Sequence, residues 1–215
     1  MDAVLFDMDG LLVDTEKVWF EVETEVVERL GGSWGPEHGA ALVGGSWDRT
    51  VAYMLDLTGS GTAPEEVARW LLDGMVERLL VEVEPMPGAL ELLSELNEAG
   101  VVTGLVTSSL KPVADAVLDV VGRHRFTVVV TADDVTRTKP DPEPYLTACR
   151  VLGVRPERCV VLEDSPNGVA AGTAAGCRVV AVPSVVPIPA APGRLVVPSL
   201  IEVDLKVLRA LFQEF

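Results

Sequence analysis

Two regimes of hydrophobic patterning divide the chain. From residue 85 onward, short apolar runs at 101–107, 127–131, 159–162 and 178–182 alternate with stretches of helical period at 88–99, 112–121, 143–152 and 166–176. Apolar strands separated by crossover helices build a parallel sheet covered on both faces. A further apolar run at 3–6 adds a strand at the start of the chain. Between these, residues 15–82 lose the strand signal. Val18, Val22, Val26 and Leu30 recur every four residues until Gly31-Gly32, the spacing of an amphipathic helix and its stop. Thr62-Ala63-Pro64-Glu65 has the form of a capping box, with Val67, Trp70, Leu71 and Met75 as an apolar face behind it.

The patterning predicts an α/β fold: a doubly wound parallel sheet built from 1–14 and 86–215, with an α-helical domain, 15–85, inserted after the first strand. Linkers near Thr15 and Pro85-Met86-Pro87-Gly88 attach the insert at two points, as in a hinged lid. The proline-rich stretch 183–198 reads as a loop, and a helix near 202–213 closes the chain.

Charge narrows the partners. Against 33 acidic residues stand 17 basic ones, a formal charge of -16 in 215 residues. Such a surface repels nucleic-acid phosphates and anionic lipid, so neither nucleic acid nor membrane is expected as a partner. An acidic protein that handles an anionic substrate needs a local cation, which points to a bound metal. Cys149, Cys159 and Cys177 make no CxxC pair and read as free thiols. Met1-Asp2 lead straight into the first strand with no basic n-region, and no apolar run approaches the roughly 20 residues of a membrane span. The expectation is a soluble, cytoplasmic protein.

In a doubly wound sheet, ligands bind outside the carboxyl ends of the strands. Polar residues gather at those ends here: Asp7-Met8-Asp9-Gly10, Thr107-Ser108-Ser109, Lys139 in Thr138-Lys139-Pro140-Asp141-Pro142, and Glu163-Asp164-Ser165. Carboxylates clustered without a cation repel one another and raise their own pKa values. Asp7, Asp9, Glu163 and Asp164 supply three or four hard oxygen ligands, suited to Mg2+ with water completing the shell. Asp7 is then a candidate nucleophile toward phosphorus, and Asp9 a candidate acid and base. Thr107, with Ser108 beside it, can hold non-bridging phosphate oxygens, and Lys139 can supply the remaining positive charge. Ser108 and Ser109 are alternatively caps of the following helix.

The segments "FDMDGLLVDTE", "VTSS", "TKPDPEPY" and "LEDSPNGVAAGTAAG" resemble, in order and approximate spacing, the four motifs of the haloacid dehalogenase-like hydrolase superfamily. The resemblance runs from residue 3 to about 183. It implies a Rossmann-like core and a helical cap, as in the beta-phosphoglucomutase and sugar-phosphate phosphatase branch. It further implies Asp7 as nucleophile, the Asp9 carbonyl and Asp164 carboxylate as Mg2+ ligands, and Glu163 acting directly or through water. An acid at position 9 suits a phosphatase or phosphomutase rather than a dehalogenase or phosphonatase.

Mutase-like members carry a histidine early in the first cap helix and basic residues around a Gly-x-Ser turn. Here those stretches read Lys17-Val18-Trp19-Phe20 and Leu42-Val43-Gly44-Gly45-Ser46-Trp47. This favours hydrolysis of a monophosphate over phosphate transfer. Trp19 and Trp47 form either an apolar wall against the leaving group or ordinary cap core. Arg49 contacts a distal charge or is simply solvated, and His38 and His124 read as surface or loop histidines. Gly168, Gly172 and Gly176 suggest close helix packing on the sheet. The expected substrate is a small phosphate ester such as a sugar or polyol phosphate. A receiver-type phosphoacceptor and a catalytically silent binding protein are the remaining alternatives, the first disfavoured by the position of Asp7 on the first strand, the second by the intact polar set.

Overall fold

The structure, a computed structural model, describes residues 1–42, 45–81 and 83–213. Among these residues, β1 (Ala3–Phe6), β4 (Val102–Val106), β5 (Val128–Val130), β6 (Cys159–Glu163), β7 (Arg178–Ala181) and β8 (Arg194–Val196) form one parallel sheet in the order β5-β4-β1-β6-β7-β8. β1 is central and every residue in it is buried. The chain adds β4 and β5 on one side of β1 and then β6, β7 and β8 on the other, so the winding reverses at β1 and opens a crevice beyond its carboxyl end. The register sets Phe6 level with Leu105 of β4 and Leu162 of β6. The residues that follow, Asp7, Val106-Thr107 and Glu163-Asp164, therefore emerge at the same edge.

The two-residue strand period divides the core. Val4, Phe6, Val160 and Leu162 join one apolar cluster with the buried faces of α5 (Ala89–Glu98) and α6 (Lys111–Val121). Ala3, Leu5, Cys159 and Val161 join the other, with α7 (Glu143–Leu152) and α8 (Pro166–Ala174). Alternation of this kind is what a sheet covered on both faces requires. Cys149, Cys159 and Cys177 are buried and unbonded, as free thiols; the Cys149 and Cys159 sulfurs lie 3.7 Å apart. No helix among the described residues is long and apolar enough to cross a membrane.

The insert contains α1 (Glu16–Arg29), α2 (Pro36–Leu42), α3 (Trp47–Thr58) and α4 (Pro64–Leu79). Val18, Val22 and Val26 of α1 share an apolar cluster with Leu71, Met75 and Leu79 of α4 and with Val113, Val117 and Val121 of α6. One packed body thus reaches from the insert into the sheet domain.

Several local expectations are corrected. The capping box does not form: α4 begins at Pro64, with Ala63 extended at its N-cap, while the Thr62 hydroxyl pairs with Ser60. A residue before proline is driven out of the helical region, which moves the helix start past Thr62. The two connections of the insert are not simple linkers but a ribbon, β2 (Val13–Asp14) antiparallel to β3 (Glu84–Pro85). Within the proline-rich stretch, Arg194–Val196 forms β8 on the edge of the sheet. These strands have only two or three residues each, too few to carry a period. The closing helix, α9, spans only Leu205–Ala210.

Gly104 on β4 permits the closest contact between strands: a Cβ there would stand 2.7 Å from Val128 Cγ1 and 2.9 Å from Leu5 Cδ2. Gly104→Ala is expected to lower the unfolding free energy by about 1–3 kcal/mol in urea titration. An unchanged midpoint would contradict this packing.

Candidate active site

Lys139 is buried, and its ammonium donates to Asp7 Oδ1 at 2.6 Å, to Glu163 Oε1 at 2.6 Å and to the Val106 carbonyl at 2.8 Å. Those bonds use all three ammonium hydrogens. The Tyr145 hydroxyl also donates to Glu163 Oε1, at 2.7 Å, and the Ser165 hydroxyl and amide donate to Glu163 Oε2. Glu163 is fully buried and both its oxygens are occupied. It is seated by a glycine: a Cβ on Gly168 would fall 1.7 Å from Glu163 Oε1. Gly172 does pack on the sheet, against Val161 and Val179, but Gly168 makes room for a carboxylate.

Electrostatics follow from the crowding. Burial pushes Asp7 up, Glu163 pushes it further and Lys139 partly offsets both, leaving its pKa at about 7. Asp164 is raised well above the usual carboxylate range by burial and by Asp7 and Glu163. For Lys139, burial is the largest influence and acts downward, but the carboxylates of Asp7 and Glu163 more than reverse it. Three acids around one ammonium leave an excess of negative charge.

Carboxylate oxygens of Asp7, Glu163 and Asp164 lie within 4.8 Å of one another. A hard divalent cation suits this donor set, because it relieves the repulsion that raises Asp7 and Asp164. Asp164 Oδ2 accepts from the Ser184 hydroxyl at 2.6 Å, and no hydrogen bond to Oδ1 is made among the described residues. Gly10, at φ +74°, lets the first loop pass beside this pair; a Cβ there would approach Asp164 Oδ2 to 2.4 Å.

Asp9 takes part in a separate network. Its Oδ1 accepts from the Thr15 hydroxyl at 2.9 Å and the Trp19 indole at 3.2 Å. Its Oδ2 accepts from the hydroxyls of Ser109 at 2.8 Å and Thr107 at 3.2 Å. The helical insert and β4 thus hold one carboxylate from opposite sides. Neither serine after Thr107 caps α6, whose N-cap is Leu110. Ser108 Oγ is buried without a partner and lines the cavity, available to an anion.

A cavity of about 230 Å³ extends from Asp7 and Asp9 up into the insert. Trp19 and Trp47 line it, edge to face with centroids 5.5 Å apart, together with Phe20, Glu16 and Glu23. Arg49 is exposed, donates to the Ala41 carbonyl and lines a neighbouring cleft instead. Residues 43 and 44 of the Gly-x-Ser turn lie outside the described residues. His38, on α2, is half-buried: it stacks on Trp34 and pairs with the Tyr53 hydroxyl at 2.8 Å. His124 is exposed in a short turn.

Thr15, Tyr145 and Ser184 were not among the sequence candidates for the site, and Ser165, placed at a strand end, had no role assigned to it. Thr15, in "DTE", and Tyr145, in "KPDPEPY", lie within the quoted motifs and were readable as such. Ser184 lies in a proline-rich stretch without a pattern.

A family model described as haloacid dehalogenase-like hydrolase matches residues 4–182. Hexitol phosphatase A of Escherichia coli is 37% identical over 183 residues, covering 83% of this chain and 81% of the relative. The fructose-1-phosphate phosphatase of the same organism is 33% identical over 175 residues, covering 81% and 92%. Among solved structures, CbbY of Rhodobacter sphaeroides in complex with phosphate superposes with a TM-score of 0.88 at 28% identity, covering 97% of this chain and 99% of that one.

Burial raises three acids of the cavity, Asp7, Glu16 and Glu23, to about 7 from ordinary values of 3.8 and 4.5. Between about pH 4 and pH 7 the unfolded chain releases these protons while the folded chain keeps them, so stability falls as pH rises through that window. The surface acids Asp2, Asp115 and Glu143 are lowered and act below it. The metal-free protein is expected to show a higher urea midpoint at pH 5 than at pH 8, with the slope reduced by Glu23→Gln. A midpoint that rises across the window would contradict the assignment.

Proposed function

The chain belongs to the haloacid dehalogenase-like hydrolases, and from that premise we propose that it is a Mg2+-dependent phosphomonoester hydrolase acting on small sugar or polyol phosphates through an aspartyl-phosphate. The observation that carries the reading is the pairing of two aspartates with different surroundings. Asp7 is bound to the Lys139 ammonium, and Asp9, two residues on, is bound only by neutral donors. That difference suits one carboxylate to bond phosphorus and the other to move protons.

In the first step an Asp7 oxygen attacks phosphorus, the ester P–O bond breaks, and the leaving alkoxide takes a proton from Asp9. In the second, Asp9 takes a proton from water, whose oxygen attacks the phosphorus and releases inorganic phosphate, restoring Asp7. Lys139 offsets the charge on Asp7, and Glu163 acts by holding Lys139 in line. The Ser108 hydroxyl and Thr107 orient the phosphate oxygens. The Asp7 and Asp164 carboxylates, with the Asp9 carbonyl that the family resemblance implies, would hold Mg2+, which would supply positive charge that keeps Asp7 ionised beside the phosphate. The helical insert, as a cap over the cavity, excludes bulk water during transfer.

Mutase chemistry is less well supported. A second phosphate needs a cation in the insert, whereas the insert's described lining of the cavity presents Glu16, Glu23 and aromatic rings. The names of the relatives, a hexitol phosphatase and a fructose-1-phosphate phosphatase, support the substrate class.

Phosphate release from a panel of sugar, polyol and nucleotide monophosphates is expected to require Mg2+, to vanish in Asp7→Asn, and to fall about 100- to 10,000-fold in Asp9→Ala. Isomerisation of glucose 1-phosphate in the presence of a bisphosphate primer, without phosphate release, would overturn the hydrolase reading.

A further inference from the structure

Glu16, Trp19, Phe20 and Glu23 follow the i, i+3, i+4, i+7 spacing on α1, so they form one stripe. All four line the cavity, while Val18, Val22 and Val26 turn to the apolar core. The stripe presents two aromatic rings between two carboxylates to the cavity. Glu23 is the more exceptional of the two acids, with only 6% of its surface exposed. No salt bridge or hydrogen bond to its carboxylate is made among the described residues. The Trp34 indole is near enough to draw its pKa down, yet Trp34 Nε1 reaches no hydrogen-bond partner among the described residues. A buried carboxylate without a partner is costly, and folds tolerate one chiefly where a ligand completes it.

The acids are ordered along the cavity. Thr15 and Trp19, at the start of α1, bind the Asp9 carboxylate; Glu16 is the first residue of that helix and Glu23 lies about two turns further on. A leaving group released at Asp9 would therefore pass Glu16 and end at Glu23. Gly39 stands beside Glu23, where a Cβ would come into ordinary contact with Oε2 at 3.8 Å, so the glycine leaves this end wider by about one methyl group.

We propose that Glu23 is a specificity-determining residue that accepts a hydroxyl hydrogen from the far end of the leaving alcohol, selecting monoesters of five- or six-carbon polyols and sugars over those of three-carbon alcohols. This rests on the hydrolase reading above. The length follows from the helix. Seven residues span about 10 Å between Glu16 and Glu23. An extended six-carbon chain with an oxygen and a hydrogen bond at each end reaches about 14 Å, and a three-carbon chain about 11 Å; the path begins at Asp9, before Glu16, so it is longer than the helix span and favours the longer chain. The donors that suit a carboxylate are hydroxyls, and the same two acids repel a second phosphate.

The test is the ratio of kcat/KM for a hexitol 6-phosphate to that for glycerol 3-phosphate, in the full chain with Mg2+. The ratio is expected to exceed about 10 in the natural sequence and to fall about tenfold in Glu23→Gln and Glu23→Ala, mainly through KM for the hexitol ester. Glu28→Gln, on an exposed position of the same helix, is the control and is expected to keep the ratio. Urea midpoints of each variant separate lost folding from lost recognition. A ratio that stays unchanged in both Glu23 variants, with phosphate still released, overturns the role of Glu23 alone. No phosphate release from either ester by the natural sequence overturns the hydrolase reading beneath it.

Discussion

A buried lysine ammonium shared between two buried carboxylates is the interaction on which the site depends. Lys139 comes from a loop after β5, Asp7 from the end of β1 and Glu163 from the end of β6, so the ammonium ties three segments to one edge of the sheet. Removing charges from water is expensive, and a buried ion pair is tolerated only where the geometry and the remaining hydrogen bonds are good. The surroundings meet that condition. Val106 takes the third ammonium hydrogen, while Tyr145 and Ser165 fill the acceptors of Glu163 that Lys139 leaves. Even Gly168 belongs to this arrangement, since any side chain there would occupy the space of Glu163.

The second network, on Asp9, joins the sheet to the helical insert. Thr107 and Ser109 approach it from β4, and Thr15 and Trp19 from the start of α1. Trp19 also packs on Trp47 in the wall of the cavity. The side chain proposed to carry the proton is thereby tied to the aromatic wall of the cavity, and a displacement of the insert would be felt at Asp9 through two hydrogen bonds. Three-dimensional closeness of this kind follows from the short ribbon between Val13–Asp14 and Glu84–Pro85, which fixes both ends of the insert beside the active edge.

The strands and most helices of the sheet domain were legible because each buries one or both faces, and burial imposes a period on the sequence. β2, β3 and β8 were not, because two or three residues carry no period. At the site, Asp7, Asp9, Thr107, Lys139, Glu163 and Asp164 were legible as polar residues at strand ends, where an apolar strand gives a sharp boundary. Ser184 was hidden in a stretch without pattern, although its hydroxyl reaches Asp164. Glu23 was hidden for a different reason. On a helix that is exposed along part of its length, a glutamate looks like solvent-facing charge, and only the folded insert brings it into a cavity. Arg49 illustrates the converse: its charge invited a substrate role, but its helix turns it toward a backbone carbonyl and solvent.

The central claim is that Asp7 forms a bond to phosphorus during turnover. Acid quenching of the Mg2+-loaded enzyme during reaction with a polyol phosphate, followed by digestion and peptide mass spectrometry, tests it directly. One phosphoryl group is expected on the peptide that contains Asp7, in the natural sequence and, formed more slowly, in Asp9→Asn, which lacks both the acid of the first step and the base of the second. Rapid phosphate release with no phosphorylated Asp7 in either protein would contradict it.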